Sequence, residues 1–129
     1  MQPIELTCPR ATVTVLVAAG AYELFEVDAP RGPTGPPHAA PWPRAYYVLR
    51  GRMAAYLDGE IHDLGPGSAL PVPPGAAHTF TVHTPSVQFL AVSLTDAMGR
   101  FLREADLAPP GTVREVAARH GVTVAGWPS

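Results

Sequence analysis

Hydrophobic and polar residues alternate along most of the chain, and this period-2 pattern is typical of β-strands with one buried face. Alternation and runs of β-branched residues predict strands over Thr12–Ala19, Ala21–Val27, Arg44–Arg50, Arg52–Leu57, Glu60–Leu64 and Val87–Leu94. Asp58-Gly59 predicts a two-residue hairpin turn, and Pro85-Ser86 predicts a turn before the last strand. We count about nine strands, and their short, regular spacing favours a β-sandwich or barrel.

A further hairpin is predicted over residues 67–82. Its apolar first half is interrupted by Pro73-Pro74-Gly75, where proline fixes φ and glycine accepts a positive φ. In the strand that follows, His78 shares one face with Phe80 and Val82. We therefore expect His78 to point into the apolar interior, where its ring nitrogens need a metal, a ligand or a side chain as partner.

The segment 29–43 is rich in proline and glycine and contains His38. This composition is also that of a flexible linker. We expect an ordered loop instead, because the segment joins two strong strands of one small domain and proline reduces the entropy lost on ordering.

After the last strand the hydrophobic period becomes helical. The apolar positions of the first predicted helix are Met98, Phe101, Leu102 and Ala105. Thr95-Asp96 is its candidate N-cap, and Pro109-Pro110-Gly111 ends it.

Thr112 and Glu115 form a capping-box pattern for a second helix that runs through His120. We expect one domain, with a barrel over about 12–94 and a helical tail over about 95–121 packed outside it.

Composition and charge restrict the class of protein. A chain of 129 residues with 47% hydrophobic content fits one globular domain. A net charge of −2 gives no reason to expect nucleic acid or an acidic membrane surface as a partner. All nine basic residues are arginine, so no lysine is present to form a Schiff base.

Cys8 is the only cysteine, so no intrachain disulfide can form and a cytoplasmic location is expected. No stretch approaches the roughly 18 apolar residues of a membrane span, and no signal peptide is evident.

The hairpin of residues 67–82 resembles the second signature of the cupin family. Gly67, Pro73, Gly75 and His78 keep its spacing of Gly, five residues, Pro, one residue, Gly, two residues and His. The family usually adds Asn four residues after the His, and Val82 stands there. The resemblance implies a cupin-type β-barrel or double-stranded jelly roll, an all-β fold.

The first cupin signature is present in altered form. Counting back from Gly51 places Arg44 where the family has Glu, Ala40 at its second His, His38 at its first His and Gly32 at its opening Gly. In a metal-loaded cupin, two His, the Glu and the second-signature His hold one divalent ion. Here only His38 and His78 remain as ligands.

The strand order and the two-helix tail also resemble bacterial quercetin-dioxygenase-like cupins. The resemblance implies a homodimer as well, since cupins commonly dimerise by pairing sheets or exchanging N-terminal strands. We expect no tightly bound metal, because two His do not hold a divalent ion tightly. Any Fe, Ni, Zn or Mn would bind weakly at His38 and His78.

Arg44 is the most informative departure from the family pattern. Pointing inward, it would repel a divalent ion and attract a carboxylate, phenolate or enolate; pointing outward, it would be solvated or paired with an acid. An inward Arg44 with His38 and His78 suits acid–base catalysis with stabilisation of an oxyanion. The side chains expected to line a pocket for an aromatic small molecule are Tyr46, Trp42, Phe80, Phe89, Met53 and Tyr56.

Three hypotheses follow. The first is a metal-independent isomerase, cyclase or dehydratase in which His38, His78 and Arg44 are catalytic. Its substrate would be a small aromatic or polyketide-like metabolite, because the composition indicates a GC-rich genome of the kind linked to secondary metabolism. The second is a metal-dependent, quercetinase-like dioxygenase with a further ligand. The third is a non-catalytic cupin that binds a small molecule.

Overall fold

The computed structural model describes residues 4–8, 11–109 and 111–124. Within these residues the chain forms ten strands and two helices. The strands are β1 (Ile4–Cys8), β2 (Ala11–Ala18), β3 (Glu23–Pro33), β4 (His38–Ala39), β5 (Arg44–Arg50), β6 (Met53–Leu57), β7 (Glu60–Leu64), β8 (Ala69–Val72), β9 (His78–Ser93) and β10 (Thr123–Val124). The helices are α1 (Ala97–Leu107) and α2 (Val113–Arg119). The predicted all-β class with two C-terminal helices is confirmed.

Strand β9 is the centre of a curled antiparallel sheet, since it pairs with β3, β4, β5 and β6. The predicted turn at Pro85-Ser86 is wrong, because β9 runs through it as one strand of 16 residues. The buried positions change parity across this point, from Phe80 and Val82 to Val87 and Phe89. The N-terminal half pairs with β6 and the C-terminal half with β5, so the change of parity lets one strand serve both sides of the barrel.

The expected loop over 29–43 is partly strand. β3 continues to Pro33, and His38 lies in the short strand β4. The β3–β9 register shifts between Pro30 and Gly32, and such an irregularity accommodates a proline that cannot donate to the ladder. Strands β1, β4 and β10 were not predicted, and the last two have only two residues each.

The hydrophobic core has two parts. The larger fills the barrel and includes Phe25, Tyr46, Phe80 and Phe89. The smaller lies beneath the helices, where Met98 and Phe101 of α1 and Ala117 of α2 pack with Ala40 and Trp42. The helices therefore pack on the barrel as expected, and they cover the end at which Ala40 and Trp42 lie.

The N-terminus of α1 is capped from the sheet. Of the predicted Thr95-Asp96 cap, Asp96 makes no side-chain capping bond, whereas the Thr95 hydroxyl accepts from the Ala97 N–H at 3.2 Å. The Gly99 N–H donates to Oε1 of Glu23 at 2.9 Å. A Cβ at Gly99 would clash with the same carboxylate, so any larger residue there requires the Glu23 side chain to shift. Glu23 is buried, with 1% of its surface exposed, because it satisfies this helix terminus.

The predicted capping box of α2 does not form. The Thr112 hydroxyl donates to the Pro109 carbonyl at 2.6 Å and makes no side-chain cap. The two helices are joined by Glu104, which bonds Arg119 and lies 2.6 Å from Nε2 of His120. Neither described helix is long and apolar enough to cross a membrane.

Candidate functional site

The candidate site is built on β5 and β9. Arg44, Tyr46 and Val48 alternate along β5 on its buried face. The guanidinium of Arg44 points inward and is 6% exposed, which settles the alternative left open by the sequence. Its Nε donates to the Tyr46 hydroxyl at 2.7 Å, and its Nη2 lies 2.8 Å from Nε2 of His78.

The two histidines of the altered signatures come together. His38 and His78 are direct partners across the β4–β9 pairing, and their ring centroids are 4.3 Å apart. The Tyr46 hydroxyl lies 3.4 Å from His78 Nε2. Nη2 of Arg44 lies within hydrogen-bond distance of both ring nitrogens of His78, 2.8 Å from Nε2 and 3.1 Å from Nδ1, and because a guanidinium can only donate, the neutral ring accepts from it.

Three of these four side chains are held uncharged. Burial, followed by the electrostatic interactions with His38 and with Arg44, lowers the pKa of His78 to about 3. Burial and Arg44 also lower the pKa of His38, and burial raises the pKa of Tyr46 above its ordinary 10.0. At neutral pH Arg44 is therefore the one charge among His38, Arg44, Tyr46 and His78.

A cavity of about 70 Å³ adjoins this cluster. Its lining comprises His38, Ala40, Trp42, Arg44, Tyr46, Met98, Phe101, Leu102 and Val122. His78 is not part of this lining, and is buried behind Arg44 and His38 with 1% of its surface exposed. The cavity is far smaller than the roughly 300 Å³ or more of a typical ligand pocket, so a substrate of several rings requires the α1 side chains to move.

The aromatic residues predicted for the pocket have different positions. Trp42 and Tyr46 line the cavity. Phe80 and Phe89 belong to the barrel core, and their rings form T-shaped pairs with Tyr46 at 5.0 and 5.3 Å between centroids. Met53 is also in that core and does not reach the cavity.

Tyr56 does not line this cavity: 40% of its surface is exposed, and it lines a surface groove of about 420 Å³ whose lining also includes His78. In β6, Met53, Ala54 and Ala55 are all buried, so alternation did not fix which way the next side chain points.

Sequence reasoning missed the contribution of the tail to the site. Met98, Phe101 and Leu102 were recognised as the apolar face of a helix, and the structure shows that this face closes the cavity. Their helical spacing was the available signal, but spacing indicates that a face is buried and not what it covers. Val122, just after α2, had no such signal.

The described residues do not fit the metal that the resemblance implies. Ala40 offers no donor atom, and Arg44 places a permanent cation against the His78 nitrogen. Among the described residues, no group of three or more His, Cys, Asp or Glu could hold a metal ion. Two imidazoles beside a guanidinium do not form a divalent-ion site.

The curled antiparallel barrel and its two signatures define a class of small β-barrel, and comparison identifies its family. A family model described as a cupin domain matches residues 24–93, which is more than half of the chain. The chain therefore belongs to the cupin family. No curated protein matches it.

Solved structures agree with this assignment. The chain is 33% identical to the polyketide cyclase RemF from Streptomyces resistomycificus, with a TM-score of 0.59, over 65% of this chain and 64% of that one. The match thus spans less than two thirds of RemF. An RmlC-like cupin from Shewanella frigidimarina is 22% identical, with a TM-score of 0.65, over 78% of this chain and 89% of that one. The nucleoside dehydratase Pac13 is 19% identical, with a TM-score of 0.61, over 71% of this chain and 76% of that one. The last two likenesses show the fold alone.

Proposed function

We propose that this cupin is an enzyme that isomerises, cyclises or dehydrates a small aromatic or polyketide-like metabolite by metal-independent acid–base chemistry. One observation carries the proposal: a buried guanidinium, that of Arg44, lies beside two neutral imidazoles at the wall of a cavity. Such a group stabilises an oxygen that becomes anionic during the reaction. The metal-ligand set of the family is broken at Ala40 and Arg44, so this chemistry replaces Lewis-acid activation.

His38 is the proton carrier in this mechanism, because it lines the cavity whereas His78 does not. It takes a proton from the carbon next to a substrate carbonyl, and the carbonyl oxygen becomes an enolate that faces Arg44. Return of the proton to a second carbon gives an isomer. Delivery to a leaving hydroxyl releases water, which is the dehydration outcome.

His78 has a positioning role. Its neutral ring accepts from Arg44 Nη2, and Tyr46 accepts from Nε, so two sides of the guanidinium are fixed. A guanidinium held in this way does not reorganise when the oxyanion forms, and that is the property on which oxyanion stabilisation depends.

The substrate class rests on similarity to RemF, which is described as a polyketide cyclase. The apolar wall of Met98, Phe101 and Leu102 suits an aromatic substrate. Since the cavity holds only about 70 Å³, α1 must yield as the substrate enters.

The test uses untagged protein purified without chelator, incubated in D₂O with a panel of phenolic aromatic polyketides. We expect deuterium in the recovered substrate or product by mass spectrometry, with no O₂ consumption. Arg44→Ala should abolish exchange. The matched control Arg50→Ala should not, since Arg50 is an exposed arginine of the same strand that pairs with Gln88.

Full activity of Arg44→Ala would overturn the proposal. O₂ consumption that depends on added Fe²⁺, Ni²⁺, Zn²⁺ or Mn²⁺ would establish the dioxygenase instead. Binding of a panel compound without exchange or turnover would establish the non-catalytic cupin.

A further inference from the structure

Trp42 carries a buried polar atom with no partner. The residue is 5% exposed and lines the cavity, and its Nε1 finds no acceptor among the described residues. Its ring packs against Phe101 of α1, with centroids 5.7 Å apart. Buried indole N–H groups normally have an acceptor, so this orphan donor calls for an explanation.

The buried guanidinium of Arg44 lacks a negatively charged partner among the described residues. Its hydrogen-bond partners are the Tyr46 hydroxyl, the Trp42 carbonyl and His78, and all are neutral. No ion pair joins it to an acid in the part of the chain that the structure describes. Buried charges are ordinarily paired, because desolvation of an isolated ion is costly.

Both residues line one cavity. A single oxyanion would supply the acceptor that Trp42 lacks and the negative charge that Arg44 lacks. The cavity of about 70 Å³ suits a group of carboxylate size and excludes a fused ring system.

We propose that the Trp42 indole N–H and the Arg44 guanidinium together form an anion subsite that binds a carboxylate or enolate oxygen of the substrate. Trp42 is thereby a substrate-binding residue that acts through a hydrogen bond as well as through ring stacking. The anionic group enters first, and the rest of the substrate lies against Phe101 and its neighbours on α1. The inference deepens the proposed function, because it names the substrate group that this same site recognises.

The first experiment needs no variant at the site. Two-dimensional ¹H–¹⁵N NMR of the protein resolves the indole N–H of its two tryptophans, and Trp127→Phe assigns the Trp42 signal. In chloride-free buffer, titration with sodium benzoate should move the Trp42 indole proton downfield in a saturable manner. Benzamide, the neutral isostere, should not move it. An unmoved signal, or equal shifts with benzamide, overturns the proposal.

The second experiment compares dissociation constants for benzoate. Trp42→Phe keeps an aromatic ring and removes only the donor, so its affinity should fall about tenfold, the loss expected for one hydrogen bond to a charged acceptor. Arg44→Gln should abolish binding, and Arg50→Gln should not change it. Unchanged affinity in a folded Trp42→Phe protein overturns the assignment.

The two proposals fail separately. If benzoate binds in a manner that depends on Trp42 but no panel compound exchanges deuterium, the subsite stands and the enzyme is excluded. If deuterium exchange occurs but benzoate affinity is the same in Trp42→Phe as in the parent protein, the proposed enzyme activity is supported and the anion subsite is excluded.

Discussion

Nη2 of Arg44 lies 2.8 Å from Nε2 of His78, so a permanent cation is bonded to the imidazole nitrogen that faces the centre of the cluster. In the metal-loaded members of the family, the first-signature Glu has the place of Arg44. Relative to that pattern, the single change from Glu to Arg at position 44 removes one metal ligand. It also places a positive charge beside a second ligand position, His78.

Restoring the two missing ligands should restore metal binding. The double variant Ala40→His/Arg44→Glu recreates three His and one Glu around the same position, a set suited to Zn²⁺ or Ni²⁺. We expect near-stoichiometric metal after desalting, measured by elemental analysis, and much less in the parent protein.

The single variant Ala40→His is the matched control, since it adds a ligand but keeps the guanidinium. It should retain little metal. Tight metal binding by the parent protein or by Ala40→His would show that Arg44 does not block the site.

Acidification should destabilise the fold through the histidine pair. The pKa values of His38 and His78 are lowered in the folded protein, that of His78 to about 3, whereas unfolded histidines titrate near 6.5. The unfolded state therefore binds more protons below pH 6.5, and the stability present above that pH is lost as pH falls towards 3. The free energy of unfolding then changes by at most about 1.4 kcal/mol per pH unit for each proton that the unfolded state binds in excess.

Urea unfolding between pH 7 and 5 measures this slope. His78→Gln should reduce it, and His83→Gln, which removes an exposed histidine of the same strand, should not. An equal slope in the parent and His78→Gln proteins would mean that His78 does not contribute.

The titration of Glu23 should lower the stability of the fold as pH rises, which is opposite to the effect of the histidines. Burial raises its pKa above the ordinary 4.5, although the Gly99 N–H, Arg103 and Arg100 oppose this. The folded state then favours the protonated form, so stability is greatest below pH 4.5 and is lost as pH rises through the raised pKa. Glu23→Gln keeps an acceptor oxygen for Gly99 and removes the titration.

The melting temperature of Glu23→Gln relative to the parent should therefore increase as pH rises from 4 to 7. The control Glu115→Gln, at an exposed position of α2, should show no such trend. A difference that stays constant with pH would contradict the prediction.

Two glycines with similar backbones should respond differently to alanine. Gly51 and Gly59 have φ values of +84° and +85°. A Cβ at Gly51 would lie 2.4 Å from the Ser86 carbonyl oxygen, whereas one at Gly59 would meet nothing within 4 Å. Both variants incur the left-handed cost of about 1–2 kcal/mol.

Gly51→Ala should lower the free energy of unfolding by about a further 1–3 kcal/mol, because the added Cβ clashes with backbone that cannot move aside. Urea unfolding of the two variants makes the comparison. Equal losses would show that the sheet relaxes around Gly51 without cost.

The sequence predicted those parts of the site that follow from local pattern. Strand alternation placed His78 on an inward face, and signature spacing selected His38 as its neighbour. The direction of the Arg44 side chain was not predictable, because it depends on Tyr46 and on His78 from a distant strand.

Other features depend on tertiary contacts that no local pattern records. Glu23 is the first residue of β3 and has the charge of a surface residue, yet it is buried because α1 needs a cap. The cavity wall formed by α1 and the continuity of β9 through Pro85 likewise become apparent only when the elements pack.

The pairing of β4 affects the order in which the molecule can be assembled. His38 meets His78 on one side and Val124 on the other, and both partners lie far along the chain. Loops that close over such distances are entropically costly, so these contacts form after the local hairpins. During synthesis, the strand that holds His38 can gain its second neighbour only after residue 124 has emerged from the ribosome. The pairing of β4 with both of its neighbours is thus among the last features of the sheet to form.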